Sequence, residues 1–386
     1  MPRPALAQTE KPASDGLARL LAGGLLPACP NPPADRLRPG ADFASLNALG
    51  LTAQTEPDAA VGPTMPDLAL EQRIAAQLCL PKAVIYASGT DAIRYTVAAL
   101  LRPGDQVLVD AGSDPAMFGT VLASRAHLHR FPSGSVEAVE RRLRRLSRQP
   151  HHGRLVIAVP AVSALGSRVS DIAGLCDLAR QHGALLIVDA SQDFGTMGLN
   201  GGGVLEIQNC LGRADVVLGS LSRCFGRPGG FAAFRDLDPS RAARHAPRLS
   251  SGAVAALTSA AAKVLGAPGR DLRRNLLGVS LRLRNHLMAD GTRVLGSASP
   301  FVPVLLPPPT ALPRTALLES AGPRVTLLLP PTVAPQAPRW RIELGTRHTL
   351  SDIDDLADLI RDVSRAFDRR PFRARSGLYP FTDAVT

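Results

Sequence analysis

The sequence predicts an α/β fold in which a mostly parallel sheet is covered by helices on both faces, followed by a smaller α+β domain. Two observations lead to this fold class. Between about residues 65 and 250, short continuous apolar runs alternate with amphipathic helical patterns. Beyond Phe234 a long helical stretch comes first, and strands and a last helix follow it. Strands that are apolar on both faces and separated by helices are typical of parallel sheets.

The apolar runs and the periodic segments place the elements. The predicted strands of the large sheet are Ala83–Tyr86, Val107–Asp110, Leu155–Val159, Leu185–Asp189 and Val216–Gly219. The helical patterns between them lie near residues 90–101, 134–148 and 170–182. In the C-terminal part, residues 254–290 are predicted to be helical, and Phe301–Leu306, Arg324–Leu329 and Trp340–Leu344 to be strands. A last helix is expected from Ser351, with Asp354 near its start as a capping acid.

With 386 residues the chain is long enough for two domains. Residues 1–64 are rich in Pro, Gly and Ala, and we interpret them as an N-terminal arm with one short helix near Leu17–Ala22. Residues 65–250 form the predicted large domain, and residues 251–386 a linker helix and the small C-terminal domain. The tail from Arg369 is expected to be mobile.

The amino-acid composition of the chain limits which classes of function are expected. The net charge is +11, yet only three of the 44 basic residues are lysines, at positions 11, 82 and 263. The five cysteines are odd in number and scattered, which argues against a disulfide framework and against a metal site. No apolar stretch approaches the ~18 residues of a membrane span. We therefore expect a cytoplasmic protein without a metal, and nucleic-acid binding is disfavoured because no motif for it accompanies the charge.

Ser88-Gly89-Thr90 follows a predicted strand and opens a predicted helix. Unpaired backbone N–H groups and the helix dipole make such a turn a potential phosphate site. The alternative is an ordinary helix cap without a ligand.

Two further predicted strands end in polar residues. Asp189 ends the apolar run Leu185–Asp189, and ligands of open α/β sheets bind at that carboxyl edge. The run Val216–Gly219 leads into a hydroxyl-rich segment that contains Ser220, Ser222 and Arg223. Asp189 could also serve only as a cap.

In this order and spacing, the three segments resemble the α-oxoamine synthases, a family of pyridoxal phosphate (PLP) enzymes of fold type I that condense an amino acid with an acyl-CoA. The most specific stretches are 188–230 and 329–349, and the resemblance extends from about Phe43 to Phe367. It implies the PLP-dependent transferase fold, with a mostly parallel seven-stranded sheet and a dimer.

The resemblance also implies roles for individual residues. Asp189 corresponds to the partner of the pyridine nitrogen, and Arg341 to the arginine that binds the substrate carboxylate. Ser88, Gly89, Thr90 and Ser220 correspond to residues on the phosphate side, where Ser222 also lies, and Ser163 to a serine near the ring oxygen. For Arg341, an ion pair within the small domain is an equally plausible alternative.

Several positions depart from the family pattern. Arg223 occupies the position of the catalytic lysine, whose amine forms a Schiff base with PLP. A guanidinium is delocalised and always protonated, so it cannot form that bond. Asp114 corresponds to the histidine that stacks on the ring, and Gln192 replaces another histidine. The family's Gly-rich segment is not recognisable before residue 65.

These departures predict a non-catalytic family member that forms either a homodimer or a heterodimer with a lysine-containing paralogue. In that case PLP is absent or held non-covalently, and acyl-CoA and an amino acid are possible ligands. One alternative is an active transferase in which Arg223 pairs with the phosphate of non-covalently bound PLP. Another is a binding module for an anionic ligand.

Overall fold

The computed structural model describes residues 41–51, 68–148 and 153–368. The predicted helix near Leu17–Ala22, Lys11, the Gly-rich segment before residue 65 and the tail from Arg369 lie outside these ranges. Among the described helices, none combines the length and the apolar character that crossing a membrane requires.

A seven-stranded sheet forms the centre of the large domain. Its strands are β2 (Lys82–Tyr86), β3 (Gln106–Asp110), β4 (His127–Phe131), β5 (Leu155–Pro160), β6 (Leu185–Asp189), β7 (Val216–Ser220) and β8 (Gly230–Phe234). The spatial order is β2-β8-β7-β6-β5-β3-β4, and only β8 runs antiparallel to its neighbours. The mostly parallel seven-stranded sheet expected from the resemblance is therefore confirmed.

Helices cover both faces of this sheet, and the sheet separates two hydrophobic cores. In chain order they are α1 (Leu68–Gln77), α2 (Gly89–Leu100), α3 (Pro115–Ala123), α4 (Val136–Ser147), α5 (Ile172–His182), α6 (Gly203–Ile207), α7 (Ser222–Phe225) and α8 (Ser240–Ala243). Every residue of β3 and of β5 is buried, which explains why these strands are continuous apolar runs. On α4 the leucine and valine face is buried and most arginines are exposed, so the arginine run is a solvated helix face.

The small domain contains a second, four-stranded sheet. The strands of this sheet are β1 (Asp42–Phe43), β9 (Phe301–Leu305), β10 (Arg324–Leu328) and β11 (Arg339–Glu343). Two helices, α9 (Ser251–Val264) and α10 (Ala267–Ala289), come before β9 in the chain. Helix α11 (Ala311–Ser320) lies between β9 and β10 in the chain, and α12 (Leu350–Asp368) follows β11. The strand order is β1-β10-β11-β9. Part of the segment interpreted as the N-terminal arm thus supplies an edge strand to this sheet.

The predicted cap of the last helix is wrong in its position. Thr349 and Asp352 form the cap, because the Asp352 carboxylate accepts from the Thr349 N–H at 2.8 Å and the Thr349 hydroxyl accepts from the Asp352 N–H at 3.1 Å. Asp354 instead accepts two hydrogen bonds of 2.6 Å from Arg282 on α10. This pair links the long helix to the last helix.

Asp193 is a fully buried carboxyl in the loop after β6. One oxygen accepts from the Val204 N–H at 2.7 Å, and the other has no partner among the described residues. Gly203 lies so close that a Cβ there would be 2.2 Å from the carboxyl. Burial raises the pKa of Asp193 to about 8, although the Val204 hydrogen bond opposes the shift.

This buried carboxyl predicts a pH-dependent stability. Between its usual pKa of 3.8 and about 8, the folded chain retains a proton that the unfolded chain has lost. The free energy of unfolding should therefore fall as pH rises through this window and level off above it. Asp193→Asn keeps an acceptor for Val204 and removes the titration, so it should flatten that decline in urea unfolding between pH 4 and 8. The exposed Asp271→Asn is the control, and equal pH slopes for Asp193→Asn and wild type would contradict the assignment.

Candidate active site

The carboxyl edge of the large sheet brings together the polar residues predicted from the sequence. Strands β2, β3, β5, β6 and β7 run in the same direction, so the segments that follow them meet at one edge. Asp189 ends β6 and Ser220 ends β7. The turn Ser88-Gly89-Thr90 follows β2 at the same edge.

The turn at Gly89 packs directly against the end of β7. Ser88 caps α2, because its hydroxyl accepts from the Asp91 N–H at 3.1 Å and donates to the Asp91 carboxylate at 2.7 Å. A Cβ at Gly89 would lie 2.7 Å from the Cβ of Ser220, so only glycine allows this approach. The Ser220 hydroxyl lies 3.4 Å from the N–H and from the hydroxyl of Ser222. These residues form one small, hydroxyl-lined site at the start of a helix.

Asp189 is a buried acid, only 8% exposed. Its carboxylate accepts from the Ser191 N–H at 2.9 Å. Burial raises the pKa of Asp189, the Ser191 hydrogen bonds oppose the shift, and the negative charge of Asp114 adds to it. A cation or a protonated ring nitrogen would be the matching partner for this carboxylate.

Asp114 is exposed and caps α3 by accepting from the Ala116 N–H at 2.8 Å. Asp114 and Thr90 line opposite sides of a cleft of about 810 Å³ between α2 and α3. Ser163 is buried beside this loop, and its hydroxyl accepts from the Arg168 N–H at 3.2 Å. The predicted site residues in the segments that follow β2, β3 and β5 thus line the same edge of the large sheet. The hydrogen bonds given for Ser88, Asp114 and Ser163 are to neighbouring residues of the chain.

Arg223 turns from the end of β7 toward the small domain. Its side chain is 5% exposed, and Nη1 donates to Glu343 Oε2 at 2.7 Å. Glu343 lies on β11 and is 2% exposed. One alternative from the sequence has Arg223 pair with the phosphate of PLP. In the structure, Arg223 pairs instead with the Glu343 carboxylate of the same chain.

Arg341 shares that carboxylate. Its Nε lies 2.7 Å from Glu343 Oε1, and its Nη2 donates to Gln192 Oε1 at 2.9 Å. The guanidinium carbon of Arg341 lies 4.3 Å from the ring centre of Phe301, and that of Arg223 lies 5.7 Å from it. Burial lowers the pKa of Arg341 to about 10, with Glu343 opposing the shift and Arg223 adding to it. Arg341 thus has an ion-pair partner on its own strand of the small domain.

Sequence reasoning missed Glu343 and Phe301. Arg341 and Glu343 are two residues apart on β11 and so project from the same face of the strand. Phe301 is the register partner of Glu343 on β9. In the sequence, Arg341 and Glu343 alternate with the apolar Trp340 and Ile342, which are buried. This alternation predicts an ion pair on one face of the strand.

Neither described lysine lies at this edge. Lys82 is the exposed first residue of β2, at the opposite end of the strand from Tyr86. Lys263 is exposed near the end of α9. Lys11 lies outside the described residues.

Comparison with known proteins identifies the chain's relatives. Residues 45–360 match the family model of aminotransferase class I and II. The chain is 30% identical over 242 residues to 2-amino-3-ketobutyrate coenzyme A ligase of Escherichia coli, a match that covers 61% of each chain. It is 28% identical over 303 residues to 8-amino-7-oxononanoate synthase of Citrifermentans bemidjiense, covering 77% of each.

Solved structures agree on the fold. Serine palmitoyltransferase of Sphingomonas wittichii superposes with a TM-score of 0.76 at 21% identity, covering 93% of this chain and 97% of that one. For 8-amino-7-oxononanoate synthase of Francisella tularensis the TM-score is 0.68 at 17% identity, with 84% and 98% covered. The resemblance inferred from the sequence motifs is confirmed, because the relatives are α-oxoamine synthases, and the chain belongs to the aminotransferase class I and II family.

Proposed function

We propose that this chain is a non-catalytic member of its family and acts as a subunit that pairs with an active, lysine-containing relative. The observation that carries the proposal is the buried ion pair between Arg223 and Glu343. The residue at the lysine position has no nucleophilic amine, and its side chain is used to join the large domain to the small one. Loss of the amine is thus coupled to a new structural role.

The described residues fit part of a PLP site. The turn at Ser88-Gly89-Thr90 and the Ser220 hydroxyl would hold a phosphate, and Asp189 would hold a protonated ring nitrogen. When bound in this fold, PLP supplies an electron sink for a carbanion. Asp114 does not fit the ring-stacking role, because an exposed carboxylate has no π face to offer. These residues are consistent with PLP that is held without a covalent bond. They are equally consistent with a chain that binds no PLP.

The partner would supply the chemistry that this chain has lost. The relatives include enzymes whose names specify coenzyme A ligation and oxononanoate synthesis. A dimer with an active acyl-CoA:amino acid C-acyltransferase of this kind would make use of the conserved fold without requiring an amine at position 223. A homodimer is the simpler assembly, and co-expression distinguishes the two.

A second candidate function is an altered transferase that works on non-covalently held PLP. The specific observation in its favour is Asp189, which stays buried at the sheet edge with only local hydrogen bonds. A buried carboxylate without a counter-ion is unfavourable unless a ligand compensates it.

The missing amine is tested by reductive trapping. After incubation with PLP and borohydride, wild type should carry no label on the peptide that contains position 223, whereas Arg223→Lys should, because a lysine amine can form the reducible bond. Peptide mass spectrometry reads the label, and wild type unfolded in urea reports the background on Lys11, Lys82 and Lys263. Specific labelling of any lysine in wild type above that background would contradict the proposal.

Asp189→Asn tests whether the cofactor site is retained. A charge-assisted hydrogen bond contributes roughly 1.5–3 kcal/mol, so PLP affinity should fall at least ~10-fold in this variant if Asp189 holds the ring nitrogen. Equilibrium dialysis measures it, with Asp271→Asn as the control. Equal affinities for wild type and Asp189→Asn would remove the second candidate function.

The subunit role is tested by co-expression with a lysine-containing relative from the same genome, with an affinity tag on this chain only. Co-purification in a fixed ratio, at a mass expected for a heterodimer, is the expected result. Recovery of this chain only with itself, together with acyl-CoA condensing activity, would contradict the proposal.

A further inference from the structure

We infer that Glu343 is a built-in occupant of a carboxylate-binding site formed by Arg223 and Arg341, and that the site binds a small external carboxylate once the Glu343 side chain is removed. The inference shares the Arg223–Glu343 pair with the proposed function and goes beyond it, because it assigns Glu343 as the occupant of the site and requires no PLP.

The first argument is geometric. Each oxygen of the Glu343 carboxylate faces a different arginine, and both N–O distances are 2.7 Å. The two arginines come from separate parts of the fold, α7 after the large sheet and β11 of the small sheet. Arg223 Nη1 donates a hydrogen bond to Oε2, whereas Arg341 Nε forms an ion pair with Oε1 without a hydrogen bond. The two cations therefore hold this carboxylate by charge as well as by that one hydrogen bond.

The second argument is the balance of charge. Two guanidiniums meet one carboxylate, and the other partners named here, Gln192 and the Phe301 ring, are neutral. The side chains of Arg223 and Arg341 are only 5% and 14% exposed. Without Glu343, both cations would lose their carboxylate in a place that water reaches poorly, which is strongly unfavourable. An anion that replaced the carboxylate would therefore bind.

The third argument is size. Glu343→Ala keeps the Cβ and removes one carbon and the carboxylate group, which together have the heavy atoms of acetate. The vacated space lies beside the buried Phe301, which is the register partner of Glu343 on β9. The chemical class of the ligand is thus a small monocarboxylate. In the native chain, an external carboxylate, including that of an amino acid, would have to displace Glu343 first.

Thermal unfolding of the full chain tests the inference. Glu343→Ala should melt below wild type in chloride, and acetate at about 100 mM and equal ionic strength should raise its midpoint by about 2 °C more than that of wild type. Glu343→Gln fills the same volume and should show no acetate-specific rise. Asp354→Ala, which breaks the partly exposed pair with Arg282, is the matched control for loss of an ion pair.

Each outcome decides the question. An acetate-specific rise for Glu343→Ala alone supports the site, as does refolding of this variant in acetate but not in chloride. The same response in Glu343→Gln or Asp354→Ala, no response, or failure to fold in both buffers would overturn it. These results do not depend on PLP labelling, so failure here is distinguishable from failure of the proposed function.

Discussion

The candidate site depends on one carboxylate, Glu343, that lies between two buried guanidiniums. Arg223 belongs to the large domain, and Arg341 and Glu343 belong to one strand of the small domain. Taking one partner from a buried ion pair typically destabilises a protein by about 3–5 kcal/mol, because the remaining charge is left without compensation. The three residues therefore constrain one another, and none can change alone at small cost. This coupling gives Arg223 a structural role that links the two domains.

The other predicted site residues at the carboxyl edge of the large sheet fall into two groups. One group has a geometry suited to a ligand, and the other is engaged in contacts within the chain. The Gly89 turn still packs closely on Ser220, and Asp189 is still buried at the end of β6. Asp114 caps helix α3, and Gln192 accepts a hydrogen bond from Arg341. The residues with a ligand-binding geometry are those that would hold a phosphate and a ring nitrogen.

Much of the fold could be predicted from the sequence because buried strands of parallel sheets are apolar throughout. All five strands predicted for the large sheet are present, and the large helices 90–101, 134–148 and 170–182 lie within two residues of their expected bounds. Strand His127–Phe131 was missed because it is a partly exposed edge strand with polar residues. Helix Pro115–Ala123 was missed because it is short and nearly uniformly apolar, so it lacks an amphipathic period.

The site was predictable only in part, for a physical reason. Motifs next to strand ends, such as Ser88-Gly89-Thr90 and Asp189, follow from local order along the chain. The partner of Arg223 is 120 residues away in sequence, and no local pattern connects them. The contact of α7 with β11 is set by how the two domains pack, which is a property of the folded chain.

The most direct test of this account is a crystal structure of the full chain soaked with PLP. The account predicts that Arg223 remains paired with Glu343 and that any bound PLP shows no density continuous with a side chain. A covalent bond between PLP and any side chain of this chain would contradict it.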